Sequence, residues 1–155
     1  MKKIFYGKQS IDSEDIKSVV NVMNSDFLTQ GPISPKFEKS LSEYCDSKFC
    51  TVVNSATSAL HLGCLALGVG KKDIVWTSSI SFVASSNCAL YCGASVDFVD
   101  IDPLTSNLSI SKLEEKLEHS KKIGKLPKVV IPVHLQGQSC EMDKIKKLSN
   151  KYKFK

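Results

Sequence analysis

Arginine is absent from this chain: all 21 basic residues are lysine. The planar fork that clamps carboxylates bidentately or reads guanine edges is therefore missing. The net charge of +5 is also localised, because Glu141 to Lys155 hold six lysines (144, 146, 147, 151, 153, 155) against two acids while the rest carries 15 lysines against 14 acids. The excess belongs to one helical face and the chain end, and no nucleic-acid partner is expected. Long apolar runs are lacking too. None approaches the roughly 18 residues of a membrane span, and Gly7-Lys8-Gln9 interrupts the basic start before an apolar leader can develop. The expectation is a cytoplasmic protein with no membrane association. Cys45, Cys50, Cys64, Cys88, Cys92 and Cys140 contain no Cys-x-x-Cys pair, so metal-ligand spacing is absent and no metal is expected. Cys64 and Cys88 lie among apolar residues and read as small, reduced core hydrophobes. Gly-x-Gly-x-x-Gly and the Walker lysine motif are missing, which removes the marks of dinucleotide and nucleoside-triphosphate sites.

What remains is ordinary in bulk. Hydrophobic residues make up 42% and charged residues 24% of 155 positions, a globular composition with room for a sizeable core. Ile16, Val19, Val20 and Met23 recur at helical spacing over Ser13 to Met23, with Asp12 or Ser13 as cap. Asp26 to Pro32 breaks the pattern, and Ser34-Pro35 restarts a helix with Phe37, Leu41, Tyr44 and Cys45 as its buried stripe. The period then changes. Phe49 to Val53 is a short β-rich run, Thr57 to Leu67 a helix ending at Gly68-Val69-Gly70, and Asp73 to Thr77 a strand. Phe82 to Tyr91 reads as a helix stopped by Gly93, and Ser95 to Val99 as a strand. Ser109 or Ser111 caps a helix around Leu113 to Leu117, Lys128 to Val133 is a strand, and His134 to Gln138 a loop. Met142 to Tyr152 is a helix with Ile145, Leu148 and Tyr152 on one face. Strands alternating with helices predict βα units on a mostly parallel sheet with flanking helices, an α/β fold. Tyr152 to Lys155 reads as the entry to another strand, and the chain is expected to be an N-terminal fragment.

In such sheets ligands gather beyond the carboxyl ends of the strands. Asn54-Ser55-Ala56-Thr57-Ser58-Ala59 falls at such a place. The first helical turn offers backbone N–H groups without intrahelical partners, Thr57 and Ser58 add hydroxyls, and small Ala56 and Ala59 let an anion approach. The plainer alternative is that Ser55 or Thr57 serves only as a helix cap. Asp100 and Asp102, just before Pro103, read as turn formers. His134, after a strand, is either a titratable catalytic group or a structural loop residue, and His61 and His119 receive no role.

A series of motifs occurs in one order: Phe27-Leu28-Thr29-Gln30-Gly31-Pro32, Phe37-Glu38, Asn54 to His61, Gly70 followed by Asp73, Ser81-Phe82-Val83-Ala84, Gly93-Ala94, and Pro132 to Gly137. Over essentially all 155 residues this series resembles the DegT/StrS family of nucleotide-sugar aminotransferases, in particular those acting on UDP-sugars in pseudaminic acid biosynthesis. The resemblance implies a type I pyridoxal-phosphate fold, with an N-terminal helical segment over 1–48 and an incomplete cofactor-binding large domain over 49–155. It implies that Thr57 and Ser58 bind the phosphate of pyridoxal 5'-phosphate and that Phe82 stacks on its ring. Tyr6, Asp26, Phe27, Leu28, Thr29 and Ala56 would face the sugar-nucleotide substrate.

The implied reaction moves an amino group from a donor such as glutamate to the 4-keto group of a UDP-4-keto-6-deoxy-N-acetylhexosamine, in a homodimer when full length. By the same resemblance the Schiff-base lysine lies beyond Lys155, so no catalytic residue is expected in this chain and the fragment is expected to be inactive. The alternatives are a sugar dehydratase of the same family or a non-catalytic remnant.

Overall fold

The computed structural model describes Phe5 and residues 7–155, which form two compact units, Met1–Val52 and Val53–Lys155. Tyr6 lies outside the described residues.

In the first unit, α1 spans Ser13–Met23 and α2 spans Ile33–Tyr44. Asp12 opens α1 with a reciprocal capping box: its carboxylate accepts the N–H groups of Glu14 and Asp15, and the Asp15 carboxylate accepts the N–H of Asp12. The α2 reading needs two corrections. The sequence pattern offers Ser34 as cap and Pro35 as the first helical residue, whereas the helix begins two residues earlier, at Ile33 behind Pro32. Of the stripe expected to be buried only Leu41 is half-buried, while Phe37 at 53%, Tyr44 at 90% and Cys45 are exposed, because helical periodicity shows which residues share a face and not what covers that face. Phe49 to Val53 is not a strand either. A strand needs a ladder partner, and none pairs with it among the described residues; the Val52 N–H is taken instead by Glu38 Oε1 at 3.0 Å.

The second unit is a three-layer α/β arrangement. Helix α3 (Ala56–Ala66) precedes β1 (Ile74–Ser78), α4 (Ala84–Tyr91), β2 (Ser95–Val99), α5 (Ile110–Lys122), β3 (Val129–Ile131) and α6 (Met142–Tyr152). The strands are parallel in the order β2-β1-β3, with Val75 aligned to Val96 on one side and Val129 on the other. Lys155 extends the sheet past β3: its N–H donates to Lys128 O and its carbonyl accepts from Val130 N, each at 2.9 Å. The expected strand entry at the chain end is therefore present.

Alternation along β1 sends successive side chains to opposite faces. On one face Val75 and Val129 pack with Cys64, Cys88 and Ala89 of α3 and α4. On the other, Trp76 and Val130 pack with Leu113 and Leu117 of α5 and with Ile145, Leu148 and Tyr152 of α6. Both faces of the central strand are thus covered, as parallel sheets require. The turns into the strands depend on left-handed glycines. At Gly68 (φ 68°) the Val69 N–H returns to Cys64 O and the Gly68 N–H to Leu65 O. Gly93 (φ 75°) repeats this after α4, where a Cβ would also lie 3.1 Å from Lys71 Cγ.

Candidate functional site

The site is built on the amino end of α3. This helix rises about 16 Å over its 11 residues, close to the length of the five-residue β1. The short connection from Leu67 to Asp73 returns the chain into the start of β1. Helix α3 therefore runs back along the sheet, and its first turn lies at the carboxyl ends of the strands. Ser55 has extended backbone and is the cap, its Oγ accepting the Ser58 N–H at 3.2 Å. Ser55 Oγ lies 3.0 Å from Ser58 Oγ, which donates to Asn54 Oδ1 at 3.1 Å. One directed chain results: Ser58 N–H to Ser55, the Ser55 hydroxyl to Ser58, the Ser58 hydroxyl to Asn54.

This network separates the two expected phosphate ligands. The Ser58 hydroxyl hydrogen is already directed at Asn54, whereas the half-buried Thr57 hydroxyl has no partner among the described residues. The N–H groups of Ala56 and Thr57 open the helix without intrahelical acceptors. Two backbone donors and one hydroxyl donor, flanked by the small side chains of Ala56 and Ala59, fit a phosphate at the positive end of a helix dipole.

Phe82 follows β1 and so belongs to the same end of the sheet. The residue is 75% exposed and takes no part in the core. The turn beneath it is held by Ser81 Oγ and Ser85 Oγ, 2.6 Å apart, and α4 begins at Ala84, two residues later than the sequence pattern placed it. The donor set and an exposed aromatic face at one sheet end suit a phosphorylated aromatic cofactor. No lysine occurs in the segments that follow the strand ends, residues 79–83, 100–107 and 132–141.

Asp26, Phe27, Leu28 and Thr29 belong to the first unit. They are exposed, Phe27 at 61% and Leu28 at 71%. Ser25 Oγ holds the turn through Val22 O at 2.7 Å and Phe27 O at 3.3 Å, and Gly31 sits where a Cβ would come within 2.9 Å of Phe27 Cβ.

His134 is a structural residue. Its Nδ1 accepts the Cys140 N–H at 3.0 Å, tying the two ends of the loop after β3 together. Asp102 Oδ1 accepts the N–H groups of Leu104 and Thr105 at 2.8 and 3.2 Å as a turn former, whereas Asp100 Oδ1 accepts the Ser79 hydroxyl at 3.2 Å and joins the segments that follow β1 and β2. His61 of α3 meets Tyr91 of α4 edge to face with centroids 5.4 Å apart.

Sequence reading missed Asn107. This buried amide donates from Nδ2 to Gln138 O and Ser139 O at 3.0 and 3.2 Å and accepts the Leu135 N–H on Oδ1 at 3.1 Å, clamping the loop after β3. An asparagine in a turn carries no local sign of a partner some thirty residues away. Lys116 was missed for the same reason: its Nζ lies 5.0 Å from the centroid of buried Trp76, 2.7 Å from Asp97 Oδ2 and 2.7 Å from Phe98 O.

A parallel sheet of order β2-β1-β3 with helices packed on both faces defines the class, an α/β fold. Residues 9–155 match the DegT/DnrJ/EryC1/StrS aminotransferase family, and the chain belongs to it. It is 42% identical over 148 residues to the UDP-4-amino-4,6-dideoxy-N-acetyl-beta-L-altrosamine transaminase of Campylobacter jejuni, covering 95% of this chain and 38% of that one. Among solved structures it is similar to Helicobacter pylori PseC, an aminotransferase involved in the biosynthesis of pseudoaminic acid, with 34% identity and a TM-score of 0.83 over 99% of this chain and 40% of that one. It is also similar to Bacillus subtilis NtdA with bound cofactor PMP, with 33% identity and a TM-score of 0.82 over 94% of this chain and 33% of that one. The chain spans 35% to 38% of the length of the first curated relatives it matches. Aminotransferases of this family use pyridoxal 5'-phosphate.

Proposed function

We propose that this chain is the front part of a nucleotide-sugar aminotransferase, one that moves an amino group from an amino acid such as glutamate to the 4-keto group of a UDP-4-keto-6-deoxy-N-acetylhexosamine in the pseudaminic acid route. The observation that carries the reading is the first turn of α3. There Ser55 satisfies the cap, so the Ala56 and Thr57 N–H groups and the Thr57 hydroxyl remain for a phosphate. When bound, pyridoxal 5'-phosphate supplies the electron sink and carries the amino group between donor and acceptor.

Each residue has a part in that reading. Thr57 and Ser58 hold the cofactor phosphate, Ser58 by turning its hydroxyl away from Asn54. Phe82 offers its exposed face to the pyridine ring. Tyr6, Asp26, Phe27, Leu28, Thr29 and Ala56 line the sugar-nucleotide side, and residues 49–155 are part of the cofactor-binding large domain. The first unit supports a homodimer of the whole protein, since Ile16, Val19, Val20 and Met23 lie together on the exposed face of α1. Six free cysteines favour a reducing, cytoplasmic setting, and no helix among the described residues is long and apolar enough to cross a membrane.

A helix amino end contributes about 0.3–2 kcal/mol to anion binding, too little to retain a cofactor tightly. No lysine follows a strand end to add a covalent bond. The chain by itself should therefore bind pyridoxal 5'-phosphate weakly and show no borohydride-reducible absorbance band. Titration with pyridoxamine 5'-phosphate and with pyridoxamine isolates the phosphate contact. The phosphorylated compound should bind roughly 2- to 30-fold more tightly, and Thr57→Val should narrow that preference. Equal affinity for the two compounds would remove the assignment.

A further inference from the structure

We propose that Cys64 and Cys88 form a buried dithiol that a small peroxide oxidises to an intramolecular disulfide, stapling α3 to α4. The two sulfurs are 3.7 Å apart, at van der Waals contact, on neighbouring helices. Cys64 is 3% exposed and Cys88 0%, so both side chains are confined by packing and face each other in the closed interior. The hydrogens are ordered as well: the Cys64 thiol donates to Cys88 Sγ, and the Cys88 thiol donates to Ser85 O at 3.4 Å.

The oxidant has to be small because no bulky disulfide reagent fits between packed helices. The balance is two thiols plus one hydrogen peroxide giving one disulfide and two waters. One thiolate attacks a peroxide oxygen, becoming a sulfenic acid and releasing hydroxide. The other thiol then attacks that sulfur, the S–S bond forms, and the S–O bond breaks to release water. Both sulfurs are oxidised and the peroxide is reduced. Burial, and after it the bond to Cys88, pushes the Cys64 thiol up to about 11, so at neutral pH it reacts slowly and only under sustained oxidation. The same burial then shields the disulfide from reductants. The bond would join helices whose amino ends bear Thr57 and, two residues before α4, Phe82.

The test is peroxide treatment of the native chain, followed by denaturation, alkylation and mass analysis. The expected product has lost two hydrogens and two alkylatable thiols, and fragmentation joins the tryptic peptide 49–71 to 73–112 through Cys64 and Cys88. The half-buried Cys92, one turn after Cys88 on α4, is the competitor. A Cys50→Ala/Cys92→Ala chain should form the bond as fast as the parent, whereas Cys64→Ala and Cys88→Ala chains should form none. In urea the preference for this pair should vanish, which keeps the test meaningful if either alanine variant folds poorly. The oxidised chain should melt several degrees above the reduced one. A Cys64–Cys92 product, separate sulfinic acids on the two residues, or a lower melting temperature after oxidation would overturn the proposal.

Discussion

Lys128 Nζ lies 2.9 Å from Asp73 Oδ2, joining the residue before β3 to the residue before β1 across 55 positions of sequence. Lys128 also donates to the carbonyl of Gly68 just after α3, and Asp73 Oδ2 accepts the Gly70 N–H at 2.8 Å. One ion pair thus ties the exit of α3 and the entries of two strands at the amino end of the sheet, opposite the edge that carries Thr57 and Phe82.

This pair predicts an acid-sensitive stability. The Lys128 ammonium, and after it the Gly70 N–H, hold the Asp73 carboxyl below its ordinary 3.8. A carboxyl depressed in the folded state contributes stability that is present above the unfolded value and lost as pH falls through the folded one. Asp73→Asn should therefore lower the melting temperature at neutral pH, and the gap to the parent should close as pH drops below about 3.8. Melts across that window check it, and a gap that stays constant would contradict the pairing.

Ser55 and Thr57 should behave differently although both are hydroxyl residues in one turn. Ser55→Ala removes the cap and should cost about 1 kcal/mol. Thr57→Val removes a hydroxyl with no partner among the described residues and should stay within about 0.5 kcal/mol of the parent. Urea unfolding of both variants separates a structural from a ligand-facing hydroxyl, and equal losses would contradict the hydrogen-bond assignment at Ser55.

Asn107→Leu should cost about 1–3 kcal/mol, because it strands the Leu135 N–H and the Gln138 and Ser139 carbonyls. Amide exchange at Leu135 should accelerate while exchange within β1 keeps the rank of the core. Unchanged exchange at Leu135 would show that the clamp does not hold the loop.

Cys64 predicts an alkaline limb. Its thiol is pushed from 9.0 to about 11 by burial and then by its bond to Cys88. The unfolded thiol ionises first, so stability is full below pH 9.0 and declines as pH rises through about 11. Cys64→Ala should flatten this decline, as read by denaturant melts between the two values. An unaltered slope would place the alkaline sensitivity elsewhere.

Local pattern carried much of the fold. The bounds of α1, β2 and α6 coincide with the periodic segments Ser13 to Met23, Ser95 to Val99 and Met142 to Tyr152, since each has a residue spacing suited to one element and a clear stop. Phe49 to Val53 shows where pattern fails: its β-rich residues have no strand to pair with among the described residues. The helix containing Phe37 and Tyr44 was legible, but the cover of its apolar stripe was not.

The sequence by itself determined that this is a parallel α/β chain with a helix starting behind Asn54 and Ser55, because helical and strand periods and a Ser/Thr-rich helix start are local properties of the backbone. Only the tertiary structure decided that Ser55 is the cap while Thr57 stays free, that His134 is committed to Cys140, and that Cys64 meets Cys88. Each of those outcomes depends on which of several competent groups reaches a partner first. Where chemically equal candidates stand side by side, or partners lie tens of residues apart, distance and direction in the folded chain make the choice.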